Sequence, residues 1–254
     1  MKPVWLTVDS DDLRHLPKHQ GHPSRSKNPY PERVSIKMKQ AMKSFREWLD
    51  KVRLPVTIFV IADQLSDDIF NNWLSELIDE HPQVTIGCHG LNHRSWSAWD
   101  EDAEGFTAAL LEAIQIIHTF AGDSFRPWFR APAGYIAPWM APIIAEVGFE
   151  LDSSINPSWL TRSKTGHWKN WHSVRKAMAD SGLIEMEWLT HRGLPTCGPA
   201  LSIPFLRGNA KRAWKRLGPA VIQSEAEKTV YWHILDHARK GGKWSPPLQI
   251  QGLQ

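Results

Sequence analysis

Cysteine is scarce. The 254-residue chain has only Cys88 and Cys197, too few for a disulfide framework and in keeping with reduced thiols. Long apolar runs are also missing. The longest lies near Val56–Ala62, far short of the length that spans a bilayer. No charged-then-apolar leader precedes the strand-like Val4–Val8, so export by a signal peptide is not expected and a cytoplasmic location is. An excess of one charge is missing too: Lys+Arg 30 against Asp+Glu 27 leaves +3. With no long basic block and no stacking platform, nucleic acid is not an expected partner. Internal repeats and low-complexity tracts are absent. What remains is globular in composition, 42% hydrophobic and 22% charged, and of a length that suits one domain over 1–254. Tryptophan is abundant: 14, against 9 phenylalanines. Indole faces fill cores, and they also pack well on the C–H face of a sugar.

Strand-like and helix-like stretches alternate. Val4–Val8, Val56–Ile61, Val84–Cys88, Trp128–Arg130, Phe149–Ser153, Leu183–Leu189 and Thr229–Leu235 read as strands. Helical stretches fall at Ser66–Asp79, Asp102–Phe120 and Ala137–Val147, with another opened by Pro31 and Glu32 and running to about Leu49. His15–Pro31 and Gly193–Gly208 read as loops. This alternation favours a parallel sheet covered by helices, open or closed into a barrel. In such folds chemistry gathers at the carboxyl ends of the strands. Asp9, Asp11, His89, His93, Arg130, Asp152 and His233 all fall at or just beyond strand ends.

These residue types suit one another. Asp9, Asp11 and Asp12 are three carboxylates in four positions, and burying any of them requires a cation or hydrogen bonds. His89-Gly-Leu-Asn-His93 offers two imidazoles from one turn. Two imidazoles and a carboxylate suit a divalent metal with open positions, and a second carboxylate beside it suits a general base. Separately, the acidic stretch also reads as a solvated turn or helix cap and the histidine pair as surface residues. Arg130 can hold the free carboxylate in place, and the Pro132–Gly134 turn can offer a backbone N–H to a developing oxyanion. His233 sits in the apolar run Val230–Leu235. It reads either as a core histidine or as an acid for a leaving amine, and Asp152 either as the carboxylate that raises its affinity for a proton or as a cap on the turn that follows.

Taken in order, Thr7-Val8-Asp9-Ser10-Asp11, His89–His93, Arg130-Ala-Pro132, Asp152 and His233 resemble the motifs of the polysaccharide deacetylases of the NodB-homology type, carbohydrate esterase family four. Val56–Val60 is similar to that family's second strand. The resemblance implies an α/β fold, a distorted (β/α) barrel of about seven strands. It also implies a divalent metal, zinc before iron, cobalt, nickel or manganese, and hydrolysis of an N- or O-acetyl group. Mapped onto it, Asp11, His89 and His93 are the metal ligands, with Asp12 a rival to Asp11. Asp9 is the base, Arg130 its partner, a backbone N–H near Ala133 the oxyanion donor, and His233 with Asp152 the acid. The Asp152–His233 interval holds Trp159, Trp168, Trp171, Trp188 and Trp214, and residues around 159–225 are expected to form a substrate-contacting insertion.

Gly182–Pro195 is similar to relatives in surface-polysaccharide assembly. The resemblance therefore points to a metal-dependent hydrolase acting on C–N bonds of an acetylated sugar, in O-antigen-like biosynthesis. A nucleotide-linked or lipid-linked sugar is the expected substrate on the cytoplasmic side. Two other readings fit the same motifs: a cyclic amide or imide hydrolase or sugar deformylase on this fold, and a catalytically silent carbohydrate-binding protein.

Overall fold

A computed structural model describes residues 2–20, 22–23, 28, 30–31 and 33–238. Runs rich in β-branched and aromatic residues become strands: β1 (Lys2–Asp9), β2 (Val56–Val60), β3 (Val84–Cys88), β4 (Phe125–Phe129), β5 (Leu151–Asp152) and β6 (Ile184–Glu185). After them come a small antiparallel hairpin of β7 (Thr190–His191) and β8 (Leu194–Pro195), then β9 (Leu217–Val221) and β10 (Lys228–His233). Seven strands run parallel in the order β10-β1-β2-β3-β4-β5-β6 and curl into a half-barrel. β9 pairs with the start of β1. Beyond β6, Trp188 makes a single parallel bridge to Thr229 of β10, so the curl nearly closes. This is the distorted barrel expected from the sequence.

Seven helices are described: α1 (Pro17–Gln20), α2 (Ile36–Val52), α3 (Asp68–Glu80), α4 (Ala103–Ala121), α5 (Met140–Glu146), α6 (Trp171–Asp180) and α7 (Pro204–Trp214). The longer ones form where apolar residues recur at helical spacing. In α2, Met38, Ala41, Met42, Phe45 and Leu49 are buried; in α4, Phe106, Leu110, Ala113, Ile117 and Ala121 are. Ser35, Asp67 and Asp102 cap the N-termini of α2, α3 and α4 through their side chains. The Ser35 cap puts the start of α2 later than the expected opening at Pro31 and Glu32; Glu32 lies outside the described residues, as does part of His15–Pro31. Gly193–Gly208 is not simply a loop, since it holds β8 and the first turns of α7. β9 has no counterpart in the sequence reading. Its Leu-Gly-Pro-Ala-Val run carries glycine and proline, which weaken strand signals.

Strand alternation sorts each strand's side chains between two cores. Val4, Leu6 and Val8 of β1 pack toward the helices. Trp5 points the other way and packs with Phe59 and Leu151 inside the curl. Trp5 Nε1 donates to Thr57 Oγ1 at 2.9 Å, which lies 2.8 Å from Thr85 Oγ1. Trp5 meets the edges of Phe59 and Trp128 at 5.9 and 5.2 Å between centroids. The interior thus has an aromatic floor, and the later odd positions of β1, Thr7 and Asp9, lie above it toward the mouth.

Candidate active site and metal centre

Register brings the strand ends level. Asp9 is opposite His233 and Phe59, Phe59 is opposite Gly87, Cys88 is opposite Phe129, and Phe129 is opposite Asp152. The residues that follow these ends therefore share one rim. Gly87 has a packing role: a Cβ there would lie 2.8 Å from the Phe59 ring. The ring that fills this space lies under the Arg130 guanidinium, at 4.2 Å.

Arg130 is fully buried. Its Nη1 donates to Asp9 Oδ1 at 2.7 Å, Nη2 to Thr7 Oγ1 at 2.8 Å and Ser153 Oγ at 3.0 Å, and Nε to the Ser153 carbonyl at 2.9 Å. A buried guanidinium is tolerable only with this degree of satisfaction. The result is the expected pair: Asp9 is fixed by a cation that is itself fixed on three sides.

The acidic turn divides its labour. Ser10 Oγ donates to Gln64 Oε1 and accepts from Ile61 N–H, tying the turn to the segment after β2. Asp12 accepts from the N–H and Oγ–H of Ser35, at 2.7 and 2.5 Å, and from Leu13 N–H. Those contacts occupy both of its oxygens and leave Asp11 as the carboxylate that faces the histidines. Asp11 Oδ1 lies 2.7 Å from His93 Nε2, and Oδ2 lies 3.4 Å from His89 Nε2. His89 Nδ1 is 2.8 Å from the Arg130 carbonyl, which directs Nε2 to the cluster. His93 takes a left-handed backbone, φ 61°, and Gly90 shapes the same turn at φ 79°.

Metal-ligand capacity can be tested on this geometry. The ligand atoms of Asp11, His89 and His93 all lie within 4.8 Å of one another, and so do those of Asp9, Asp11 and His233. Asp11 Oδ2 and His93 Nε2 are buried yet make no hydrogen bond. Close approach without hydrogen-bond alignment is the disposition of atoms aimed at a shared point, and two imidazoles with one carboxylate suit a divalent cation. Burial by itself would push the Asp11 carboxyl up, but the His93 and His89 imidazoles hold it well below the usual range. Burial opposes charge on His89, and Asp9, Asp11 and the Arg130 carbonyl overcome it and raise its proton affinity.

His233 lies at the same mouth, but its partner differs from the expected one. Asp152 does not make the expected contact with it. Instead Asp152 accepts from the N–H and Oγ–H of Ser154, at 2.9 and 2.7 Å, and interacts with Glu185 of β6. Asp236 takes the place beside His233, with Oδ2 3.3 Å from Nδ1 and accepting the His233 N–H at 3.0 Å. Burial disfavours the imidazolium, but Asp236, Asp11 and Asp9 outweigh it and raise the pKa to about 9. The His-Ile-Leu-Asp spacing of 233–236 was a readable signal for this partner.

A cavity of about 260 Å³ opens over these groups, lined among others by Asp9, Asp11, His89, His93, His233 and Trp188. Three further lining residues escaped the sequence reading. His15 Nδ1 accepts the Asp12 N–H at 2.9 Å, and its ring lies 5.6 Å from that of His93. Tyr231 packs on Trp188 at 4.1 Å. Lys164 Nζ donates to the Ala133 carbonyl at 2.5 Å, and burial lowers its pKa to about 8. Ala133 is left-handed, φ 52°. In its turn the N–H groups of Gly134 and Tyr135 are bound to Ala131 and Pro132 carbonyls, and no hydrogen bond from the Ala133 N–H is found among the described residues. Of the tryptophans, only Trp188 lines this cavity among the described residues; Trp171 and Trp214 are buried, and Trp159 and Trp168 face solvent.

Known proteins give the same frame. Residues 30–151 match the family model for polysaccharide deacetylase. No curated protein matches the chain in sequence. Among solved structures, a polysaccharide deacetylase described as putative, from Mycobacterium smegmatis, is 17% identical; the match covers 95% of this chain and 79% of that one, with a TM-score of 0.55. The CE4 domain of a multidomain xylanase from the hindgut metagenome of Trinervitermes trinervoides is 11% identical, covering 99% and 80%, with a TM-score of 0.47. A CE4 family pseudoenzyme from Bacillus anthracis is 13% identical, covering 92% and 55%, with a TM-score of 0.45. The first of these shares the fold. Residues 30–151 are thus similar to the polysaccharide deacetylase family, within a barrel of the NodB type.

Proposed function

We propose that the protein is a metal-dependent hydrolase that removes an acetyl group from an acetylated sugar. The observation that carries this reading is the convergence of Asp9, Asp11, His89, His93 and His233, from three strand ends, on one cavity. Asp11, His89 and His93 would hold the divalent ion, zinc in the first instance. When bound, that ion supplies Lewis-acid polarisation of the acetyl carbonyl and lowers the pKa of water.

The chain's own residues supply the rest. Asp9, oriented through Oδ1 by Arg130, accepts a proton from the attacking water. The Ala133 N–H donates to the carbonyl oxygen as charge builds on it. His233, protonated at neutral pH beside Asp236, gives its proton to the departing amine. The cavity volume suits one sugar ring with its acetyl group rather than a long stretch of glycan. A nucleotide-linked or lipid-linked sugar on the way to a surface polysaccharide of the O-antigen kind would place only its acetylated ring there, and a cytoplasmic setting fits that substrate.

The experiment is acetate release from an acetylated sugar panel by zinc-loaded protein. Asp9→Asn should lower the rate by ~10²–10⁴-fold while metal content is kept. Equal rates for the variant and the parent would refute the assignment of the base. Metal-loaded protein that binds the sugars but never releases acetate would refute the hydrolase reading itself.

A further inference from the structure

Charge is unevenly distributed along the chain. Between Trp188 and Ser224 stand Arg192, Arg207, Lys211, Arg212, Lys215 and Arg216, with no aspartate or glutamate. The whole chain is only +3, so the remainder is net acidic. Folding gathers Arg192, Arg212, Lys215 and Arg216 on one surface. α7 buries Leu206, Asn209, Ala210, Ala213 and Trp214. The opposite side of the helix carries Phe205, Gly208 and Arg212, with Lys215 and Arg216 just beyond its end. The β7–β8 hairpin packs against α7, with Asn209 Nδ2 donating to the His191 carbonyl at 3.1 Å. Arg192 thereby joins the same surface. Burial and then Arg216, Arg192 and Arg212 together lower the His191 pKa, as expected where three guanidinium groups crowd one imidazole. Arg192, Arg212, Lys215 and Arg216 are exposed, and none of the six cations pairs with a carboxylate among the described residues.

The same surface exposes apolar side chains. Ile203 and Phe205, at the start of α7, are 52% and 70% exposed. Water-facing isoleucine and phenylalanine beside unpaired cations make an amphipathic element of the interfacial kind. A nucleic acid or acidic glycan would satisfy the cations but would leave Ile203 and Phe205 in water. An anionic lipid surface satisfies both.

We infer that the α7 face, with the turn of the β7–β8 hairpin, docks this protein on an anionic lipid surface, with Ile203 and Phe205 entering the interface. Trp188, which lines the cavity, precedes Arg192 by four residues, and Trp159 N–H donates to the Gly193 carbonyl in the hairpin turn at 3.3 Å.

The test is co-sedimentation of the full chain with phosphatidylglycerol-rich vesicles and with pure phosphatidylcholine vesicles, over a salt series. Binding should favour the anionic vesicles and weaken as salt rises. Each basic residue contributes about fivefold to partitioning, so Arg212→Glu with Arg216→Glu should lower it by at least ~30-fold. Phe205→Ser with Ile203→Ser should lower it further at high salt, where the charge contribution is screened. All four side chains face water, so thermal melting should be little changed. No preference for anionic vesicles, or equal binding by the charge-reversed protein, overturns the inference. Retention on an acidic polymer such as heparin without vesicle binding also overturns it, in favour of a polyanion. Binding that ignores the Phe205 and Ile203 changes at every salt overturns insertion. None of these measurements depends on deacetylase activity.

Discussion

On the β1 side of the barrel mouth, buried Asp9 and half-buried Asp11 face Arg130, His89, His93 and His233; at the β5–β6 corner, buried Asp152 and half-buried Glu185 face mainly each other and Ser154. Burial pushes all carboxyls toward the neutral form, so the neighbours decide the outcome. Imidazoles hold Asp11 well below its ordinary range. At the other corner burial acts first, Asp152 adds its charge, and Glu185 is raised well above its ordinary range. Asp152 is raised as well, despite Ser154 and the more distant Arg130. The first cluster is suited to hold a cation and move protons. The second is suited to share one proton and hold two strand ends together.

The largest blow to this contrast is removal of the cation that serves the first cluster. Arg130→Met leaves Asp9 buried without its partner and should cost about 3–5 kcal/mol, read as a fall in melting temperature of roughly 10 °C. A melting temperature within a degree or two of the parent's would mean that Asp9 gains little from the pair.

Next in size is a half-buried base on the α2 side of β10, beside Asp236. His237 Nε2 accepts from Trp232 Nε1 at 3.0 Å, and burial lowers its pKa to about 4. A base depressed in the folded state contributes stability that is present above the unfolded value near 6.5 and is lost as pH falls through about 4. The loss amounts to about 3 kcal/mol. Replacing His237 with Gln should flatten the denaturant midpoint between those pH values; an unchanged slope would assign the acid sensitivity elsewhere.

The identity of the partner of His233 separates the two clusters by activity. Asp236→Asn should lower acetate release by about 10–100-fold, in line with other outer partners of catalytic and ligand histidines. Asp152→Asn should cost less in rate. The reverse order would return Asp152 to the role expected from the sequence.

The smallest effect belongs to the second cluster. Glu185→Gln keeps an acceptor for the Ile155 N–H and a donor for Asp152, so the melting temperature near pH 5 should barely move. A carboxyl raised in the folded state adds stability below its unfolded value, and that stability is lost as pH rises through the folded one. The parent should therefore weaken on going from about pH 4.5 upward through the raised value, and the variant should lack that slope. Identical pH profiles would show that the pair shares no proton.

Much of this was legible in the sequence. Alternating strand-like and helix-like stretches announced a parallel sheet covered by helices, the family resemblance supplied its closure toward a barrel, and polar residues directly after strand ends marked its mouth. Asp9, Asp11, His89, His93, Arg130 and His233 were all readable because each follows a strand by zero to a few residues. Asp152 was misjudged as the partner of His233. Its position at a strand end is the same kind of signal, but whether it meets Ser154 or His233 depends on how far the sheet has curled between β5 and β10. Lys164 and Tyr231 gave no motif at all. They reach the cavity through packing of the Trp159–Trp168 stretch and through alternation in β10, neither of which leaves a local spacing.

Residue order alone settled which groups would be available: acids after the first strand, imidazoles after the third, a guanidinium after the fourth, an imidazole after the last. Those follow from strand periodicity, which is local. Tertiary structure alone decided which acid meets which base. It turned Asp12 to Ser35 and Asp11 to the imidazoles, gave His233 to Asp236, and set Asp152 against Glu185. Such pairings depend on distances across the curled sheet, and electrostatic and hydrogen-bond energies change over a few ångströms that no one-dimensional pattern encodes.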